Sequence, residues 1–429
     1  MTAEIAVMNK DAVALAADSA VTISGKKTYN TINKLFSLSR NQPVGIMIYG
    51  DGQLGGVPWE TIVKLYRDKI GVNQRPKLED YVSEFISFIE GDFSKHFRDE
   101  LDDFFIEYVE DYLLVLRDKI DTQVENYIEK KGKIGKRQIG NILRKSIQTD
   151  EDYWKKKDKL DFFDDVLLAE LIKKYHVEVC ELAGDNLEQH NVSAEYLKRI
   201  TTIVANIFCS KSIEDSGVVF SGFGEDEIFP KLKVCKIECF VLGKLKYISE
   251  SISVSNEKQK GATIMPFAQT DTVASFLSGI SPQLMNNVMN RLHHVFDEYN
   301  EVIKMQIKPL KLDDSDVDHI IEELHNNRRK LMNEYFDYIV GAQQHYHINP
   351  MIQAIEFLPK NEMAEVAESL VSITSFRQKI SLDQETVGGA IDVAVISKTD
   401  GFVWIKRKHY FSADINPMFM SKYIKPLEV

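Results

Sequence analysis

Two short, mostly apolar runs open the chain. Residues 3–9 and 12–18 read as two short strands joined at Lys10-Asp11, the second rich in alanine. Ala12, Ala14 and Ala16 share a face with Asp18, and their small side chains leave room for another layer to come close. Residues 34–39 and 44–49 form a second strand pair around the polar turn Arg40-Asn41-Gln42-Pro43. Residues 53–69 then take helical spacing, with Trp59, Ile62, Val63 and Tyr66 on one face. Strands first and helices after them predict an α+β layered fold.

From about residue 80 to 200 the period is helical. Leu101, Phe104, Phe105, Tyr108 and Tyr112 recur on one side, and acids such as Asp102, Asp103, Glu107 and Asp111 fill the rest. The stretch 130–145 reverses the charge, with Lys130, Lys131, Lys133, Lys136, Arg137, Arg144 and Lys145 and no acid among them; it reads as a solvated loop and helix face rather than a phosphate contact. Alternation returns over 216–253 and 262–267, leading into a helix near residue 271. Residues 282–345 are helical again, broken near Pro309 and Asp313-Asp314-Ser315. An amphipathic helix over 361–378 precedes closing strands at 389–397 and 402–407. The organisation predicted is a discontinuous core of 1–79, 201–281 and 346–429, carrying helical insertions at 80–200 and 282–345.

Composition narrows the function. The chain has 429 residues, 44% hydrophobic and 28% charged, as a soluble globular protein does. A net charge of −12 disfavours wholesale nucleic-acid binding. Neither an apolar run of about 18 residues nor a basic-then-apolar leader is present, which predicts a cytoplasmic protein without a membrane partner. Cys180, Cys209, Cys235 and Cys239 form no CxxC pair, so a disulfide or zinc framework is not expected; Cys235 and Cys239 read as core-facing strand residues. The GxGxxG of Gly50-Asp51-Gly52-Gln53-Leu54-Gly55 follows strands joined by a short turn, hence antiparallel, whereas a dinucleotide site needs a parallel βαβ unit. His293-His294 and His345-Tyr346-His347 lack a carboxylate at ligand spacing, and no GxSxG appears.

The chemistry concentrates in the first fifty residues. Thr2 follows Met1, and loss of Met1 would leave a hydroxyl nucleophile whose own α-amine, of pKa near ~8, can act as its base. Lys34 supplies a positive charge that lowers the amine's pKa, and Asp18 neutralises and orients Lys34. Gly50, at the end of the run Gly45-Ile46-Met47-Ile48-Tyr49, offers a backbone N–H for a developing oxyanion.

Three stretches carry a resemblance. Asn9-Lys10-Asp11-Ala12-Val13-Ala14-Leu15-Ala16-Ala17-Asp18, then Asn33-Lys34-Leu35-Phe36, then Gly45 to Gly50 resemble a proteasome β-subunit, an N-terminal nucleophile hydrolase of the threonine peptidase type. A further block, Val387-Gly388-Gly389-Ala390-Ile391-Asp392-Val393-Ala394-Val395-Ile396 with Asp400-Gly401-Phe402, follows in the family's order. The resemblance implies a four-layer αββα sandwich of two antiparallel sheets, with Thr2, Asp18, Lys34 and Gly50 as the primary catalytic set. The family's assisting serine falls at Thr270. Its late aspartate is met only by the offset Asp383, with Gln384 in strict register, and its second serine is replaced by Val387. Val21, Ile32, Phe36 and Ile48 are implied to line an apolar pocket for the side chain before the scissile bond. The implied partners are a peptide or unfolded protein and further copies of the chain in a ring, with an ATP-dependent unfoldase or another partner at the insertions. No metal or organic cofactor is implied. A small-amide hydrolase of the same nucleophile class, and a non-catalytic scaffold whose insertions bind a partner, are the alternatives.

Overall fold

The computed structural model describes residues 2–23, 27–38, 42–71, 73–96, 98–190, 192–211, 216–254, 261–307, 313–381, 387–409 and 411–418. They form an α+β protein with antiparallel sheets, divided into two compact units: 1–35 with 253–429, and 36–252. The first unit opens with β1 (Ala3–Asn9) and β2 (Ala12–Ala17), turned at Lys10-Asp11 as expected, and with a small pair, β3 (Val21–Ile23) and β4 (Lys27–Tyr29). Asn9 makes the tight turn possible, its side-chain oxygen accepting the N–H groups of Asp11 and Ala12.

The second unit is built on a sheet of β5 (Leu35–Ser37), β6 (Val44–Tyr49), β9 (Gly217–Gly222), β10 (Lys231–Val241) and β11 (Lys244–Ser253), in the order β11-β10-β9-β6-β5. The helix predicted over 53–69 is shorter. Residues 53–58 make a hairpin, β7 (Gln53–Leu54) and β8 (Val57–Pro58), and α1 runs only from Trp59 to Ile70. Gly55 and Gly56 take φ +55° and +77° at the hairpin tip, and Pro58 stops a helix from extending backwards. With α2 (Leu78–Phe88), α1 covers one face of the sheet. Trp59, Ile62, Val63 and Tyr66 meet Ile46, Ile48, Val218 and Phe220 there, and Phe85 sets its ring edge-on at 5.1 Å from both Tyr66 and Phe220.

After the short α3 (Ser94–His96) come α4 (Arg98–Lys131), α5 (Lys136–Lys155), α6 (Asp165–Asn186) and α7 (Ala194–Cys209). Their core stacks Phe105 on Tyr175 and Phe208, at 3.9 and 4.4 Å between ring centres, and takes in Cys239 and Val241 from β10. Leu101 and Phe104 lie in α4, but their side chains are outside the described set. The basic residues of 130–145 are all exposed. Cys235 and Cys239 are both buried, and burial pushes the Cys235 thiol up to about 12.

The first unit resumes with β12 (Ala262–Ala268), α8 (Asp271–Ser278), α9 (Pro282–Ile307), α10 (Asp314–Gln343), α11 (Asn349–Glu356), α12 (Lys360–Ile380), β13 (Asp392–Ser397) and β14 (Gly401–Lys406). Its sheet runs β12-β1-β2-β13-β14, antiparallel throughout. The layer for which the alanines make room is α12: Ala364, Ala367, Leu370 and Val371 share a core with Ala12, Ala14 and Ala16. Small residues on both surfaces let helix and sheet approach closely. By contrast, Asn300 and Met332 are the only buried residues that α9 and α10 contribute among those described. Pro309, one of the predicted breaks, lies outside the described residues.

Candidate active site

Thr2 stands one residue before β1, and its carbonyl accepts the N–H of Gln269, extending the β1–β12 ladder by one step. Residues two apart on a strand point the same way, so Thr2 and Glu4 share a face. The Thr2 Oγ donates to Glu4 Oε2 at 3.0 Å. Glu4 Oε1 forms an ion pair with Lys34 Nζ at 3.1 Å, and Lys34 also pairs directly with Asp18.

Asp18 is held from several sides. It follows β2, its N–H bonds to the Ala3 carbonyl, and its carboxylate accepts from the backbone of Ala3 (3.3 Å), Ala20 (3.3 Å) and Gly388 (2.9 Å). Ser19 completes the junction: its N–H reaches the Gly388 carbonyl at 3.1 Å and its hydroxyl donates to the Ala390 carbonyl. The Gly-Gly block near the far end of the chain is therefore part of the Asp18 site. Glycine is required at Gly389, where φ is +79° and an added Cβ would lie 2.7 Å from the Asn30 carbonyl oxygen.

The relative exposure of Thr2, Glu4, Asp18 and Lys34 is 1%, 0%, 1% and 3%. One cation between two carboxylates in so dry a place leaves an acid short of counter-charge. The cost falls on Glu4. Burial pushes its carboxyl up to about 7, the Lys34 charge opposes this, Asp18 adds to it, and the hydrogen bonds from Thr2 and Lys34 pull back.

The remaining predicted residues are distributed as follows. Thr270 starts α8, accepting the Ala274 N–H, and is half-buried next to the Gln269 that binds Thr2. Asp383 and Gln384 lie outside the described residues. Val387 is buried in the apolar core it shares with α12, where a methyl-bearing side chain packs and a serine hydroxyl would meet mainly apolar side chains. Val21 is buried at the start of β3, and Ile32 is half-buried, its N–H bonded to the Ser19 carbonyl. Phe36 and Ile48 belong to the core of the second unit. Gly50, also in that unit, ends β6 at φ +78°, where an added Cβ would stand 2.7 Å from Ser216 Cα.

Glu4 is the member that sequence reasoning missed. The signal was present: a lone acid in the strand Ala3–Asn9, two residues from the candidate nucleophile.

No protein-family model and no curated protein matches the chain. Among solved structures, one titled Helical Assembly of the Anbu Complex from Pseudomonas aeruginosa aligns over 98% of this chain and 94% of that one, at 7% identity and a TM-score of 0.28. Likeness at that level carries no argument about fold or activity.

Proposed function

We propose that this chain is a threonine-type N-terminal nucleophile hydrolase that cleaves peptide bonds, on a proteasome-like αββα plan. The observation that carries the reading is the buried chain of contacts from Thr2 Oγ through Glu4 and Lys34 to Asp18. Sixteen residues separate Lys34 from Asp18, so local sequence does not bring them together. A buried lysine between two carboxylates is costly to keep for stability alone, since apolar residues of like volume commonly serve a fold as well.

The reaction requires that Met1 be lost. While Met1 precedes Thr2, the nitrogen of Thr2 is an amide and not a base; once freed, it is an amine beside its own hydroxyl. The Lys34 charge holds that amine partly unprotonated at neutral pH. The hydroxyl attacks the substrate carbonyl, the leaving nitrogen departs with a proton, and water resolves the acyl ester. In this reading the substrate is a peptide or unfolded protein, and copies of the chain assemble into an oligomer.

A panel of fluorogenic peptides, assayed with the wild type and with Thr2→Ala, tests it. The expected result is turnover of at least one neutral or hydrophobic peptide by the wild type and none by a Thr2→Ala variant of unchanged circular dichroism. Equal turnover by both would remove Thr2 from the chemistry.

A further inference from the structure

Glu4 has no role in the mechanism just given, yet its carboxylate touches the nucleophile. Its Oε2 receives the Thr2 hydroxyl hydrogen at 3.0 Å, while Oε1 lies 3.1 Å from Lys34 Nζ. Its partners on the flanking strands are Ala17 and Phe267, which offer neither charge nor hydrogen bond from their side chains. Among the described residues the charged groups facing it are Lys34 and Asp18, joined by the Thr2 α-amine once Met1 is lost. A purely structural counter-ion for Lys34 would not be needed, because Asp18 already pairs with that lysine.

We propose that Glu4 is a second catalytic base, the group that takes the Thr2 hydroxyl proton directly. This deepens the reading of Thr2 as nucleophile and rests on it. In the acylation step the Oγ–H bond breaks and the proton moves to Glu4 Oε2. The freed electron pair on Oγ forms the new C–O bond while the carbonyl π pair moves onto oxygen. On collapse that pair returns, the C–N bond breaks, and the leaving nitrogen takes the proton from Glu4. Water then repeats the sequence on the ester: its proton goes to Glu4, its oxygen joins the carbonyl carbon, and Thr2 Oγ leaves with the proton. The carboxyl ends each half-reaction as it began.

The environment suits the task. A base works best when its pKa lies near the working pH, and burial brings Glu4 up to about 7 while Met1 precedes Thr2. The α-amine, near ~8 before Lys34 lowers it, is only partly unprotonated at pH 7. Each base therefore covers a different range: the carboxylate from neutral pH upward, the amine above that.

The test uses the full chain with Thr2 confirmed as its first residue by intact mass, and a β-lactone as probe, because it acylates a hydroxyl without needing a leaving group. The rate of Thr2 acylation is followed from pH 5 to 9 for the wild type, Glu4→Gln, Glu4→Asp and Thr2→Ala. We expect Glu4→Gln to lose about 10²-fold at pH 7, the scale of one general base, with the acid limb of its profile moved upward to that of the amine. Glu4→Asp retains a carboxyl further from Oγ, so its rate should fall while its limb stays below that of Glu4→Gln. Should the Gln variant fail to fold, the Asp variant decides: an unchanged rate overturns the proposal. Equal limbs for the wild type and Glu4→Gln, whatever the rates, also overturn it and leave Glu4 a packing residue, with Thr2 still the nucleophile. An unlabelled Thr2 in the wild type ends both readings, and labelling that persists in Thr2→Ala has the same effect.

Discussion

Lys34 stands between two buried carboxylates, and each substitution in that trio carries a separate cost. Lys34→Ala leaves Glu4 and Asp18 facing each other with no cation, and should cost about 10²-fold or more in turnover, the size of one preorganised electrostatic group. Lys34→Arg keeps the charge, but a planar fork does not fit where a compact ammonium bridges two acids, so a substantial loss is expected there too. Asp18→Asn replaces one oxygen by an NH2 that must face either Lys34 and the Ala3 N–H or the N–H groups of Ala20 and Gly388, all of them donors. Turnover on one peptide, with circular dichroism as a folding control, reads all three; near wild-type turnover by folded Lys34→Ala would make it a structural lysine. Glu4 also predicts a pH dependence of stability. Its folded pKa of about 7 exceeds the ordinary carboxyl value of 4.5, so the folded chain binds the proton more tightly than the unfolded one. Stability from this group is complete below about 4.5 and declines as pH rises towards 7. Glu4→Gln should therefore match the wild type at pH 4.5 and melt about 3 °C or more above it at pH 8, by scanning fluorimetry. A variant that melts lower at pH 8 contradicts the assigned cost. Of the residues in this cluster, Thr2, Asp18 and Lys34 were legible because their type and spacing match a known pattern. Glu4 matches none, and only the two-residue strand period points to it.

Among the elements, strands were easier to read than turns. Short apolar runs bounded by polar turns placed the strand at Ala3–Asn9 and that at Val44–Tyr49 with their observed ends, and both bury every residue. The helix expected from residue 53 failed because the apolar period of α1 was extended through Gly55, Gly56 and Pro58, whose backbone demands outrank side-chain spacing. The closing strand begins at Asp392, since Gly388 and Gly389 are spent on the Asp18 junction. Two glycines test this difference. Gly56 has φ +77° with nothing within 4 Å of an added Cβ, so Gly56→Ala should cost only the backbone penalty of about 1 kcal/mol. Gly389→Ala adds a clash with the Asn30 carbonyl and displaces the neighbouring N–H from Asp18. It should lose more stability than Gly56→Ala and most of its turnover. Equal melting temperatures for the two variants would remove the Gly-Gly block from the site.

For the molecule as a whole, the helical pair α9–α10 is the part whose presence the sequence announced and whose purpose it did not. Its long amphipathic period was readable, but only Asn300 and Met332 are buried there among the described residues, so its apolar positions did not mark a core. Its two ends lie close together: Gln343 donates to the Ser278 carbonyl, and a Cβ on Gly279 would touch the His347 ring. Replacing 282–343 by a short Gly-Ser linker should thus leave the sheet and α12 intact, with cooperative melting retained and Thr2 acylation unchanged. Loss of cooperative melting would show that the pair completes the core.

The central claim is that the freed threonine at position 2 does the chemistry, and the most direct measurement couples the mass of the N-terminus to turnover. Preparations with and without Met1, each verified by intact mass, are assayed on the same peptide. We predict hydrolysis only by the chain that begins at Thr2, because a residue in front of it turns the amine into an amide. Equal hydrolysis by the chain that keeps Met1 would contradict the account.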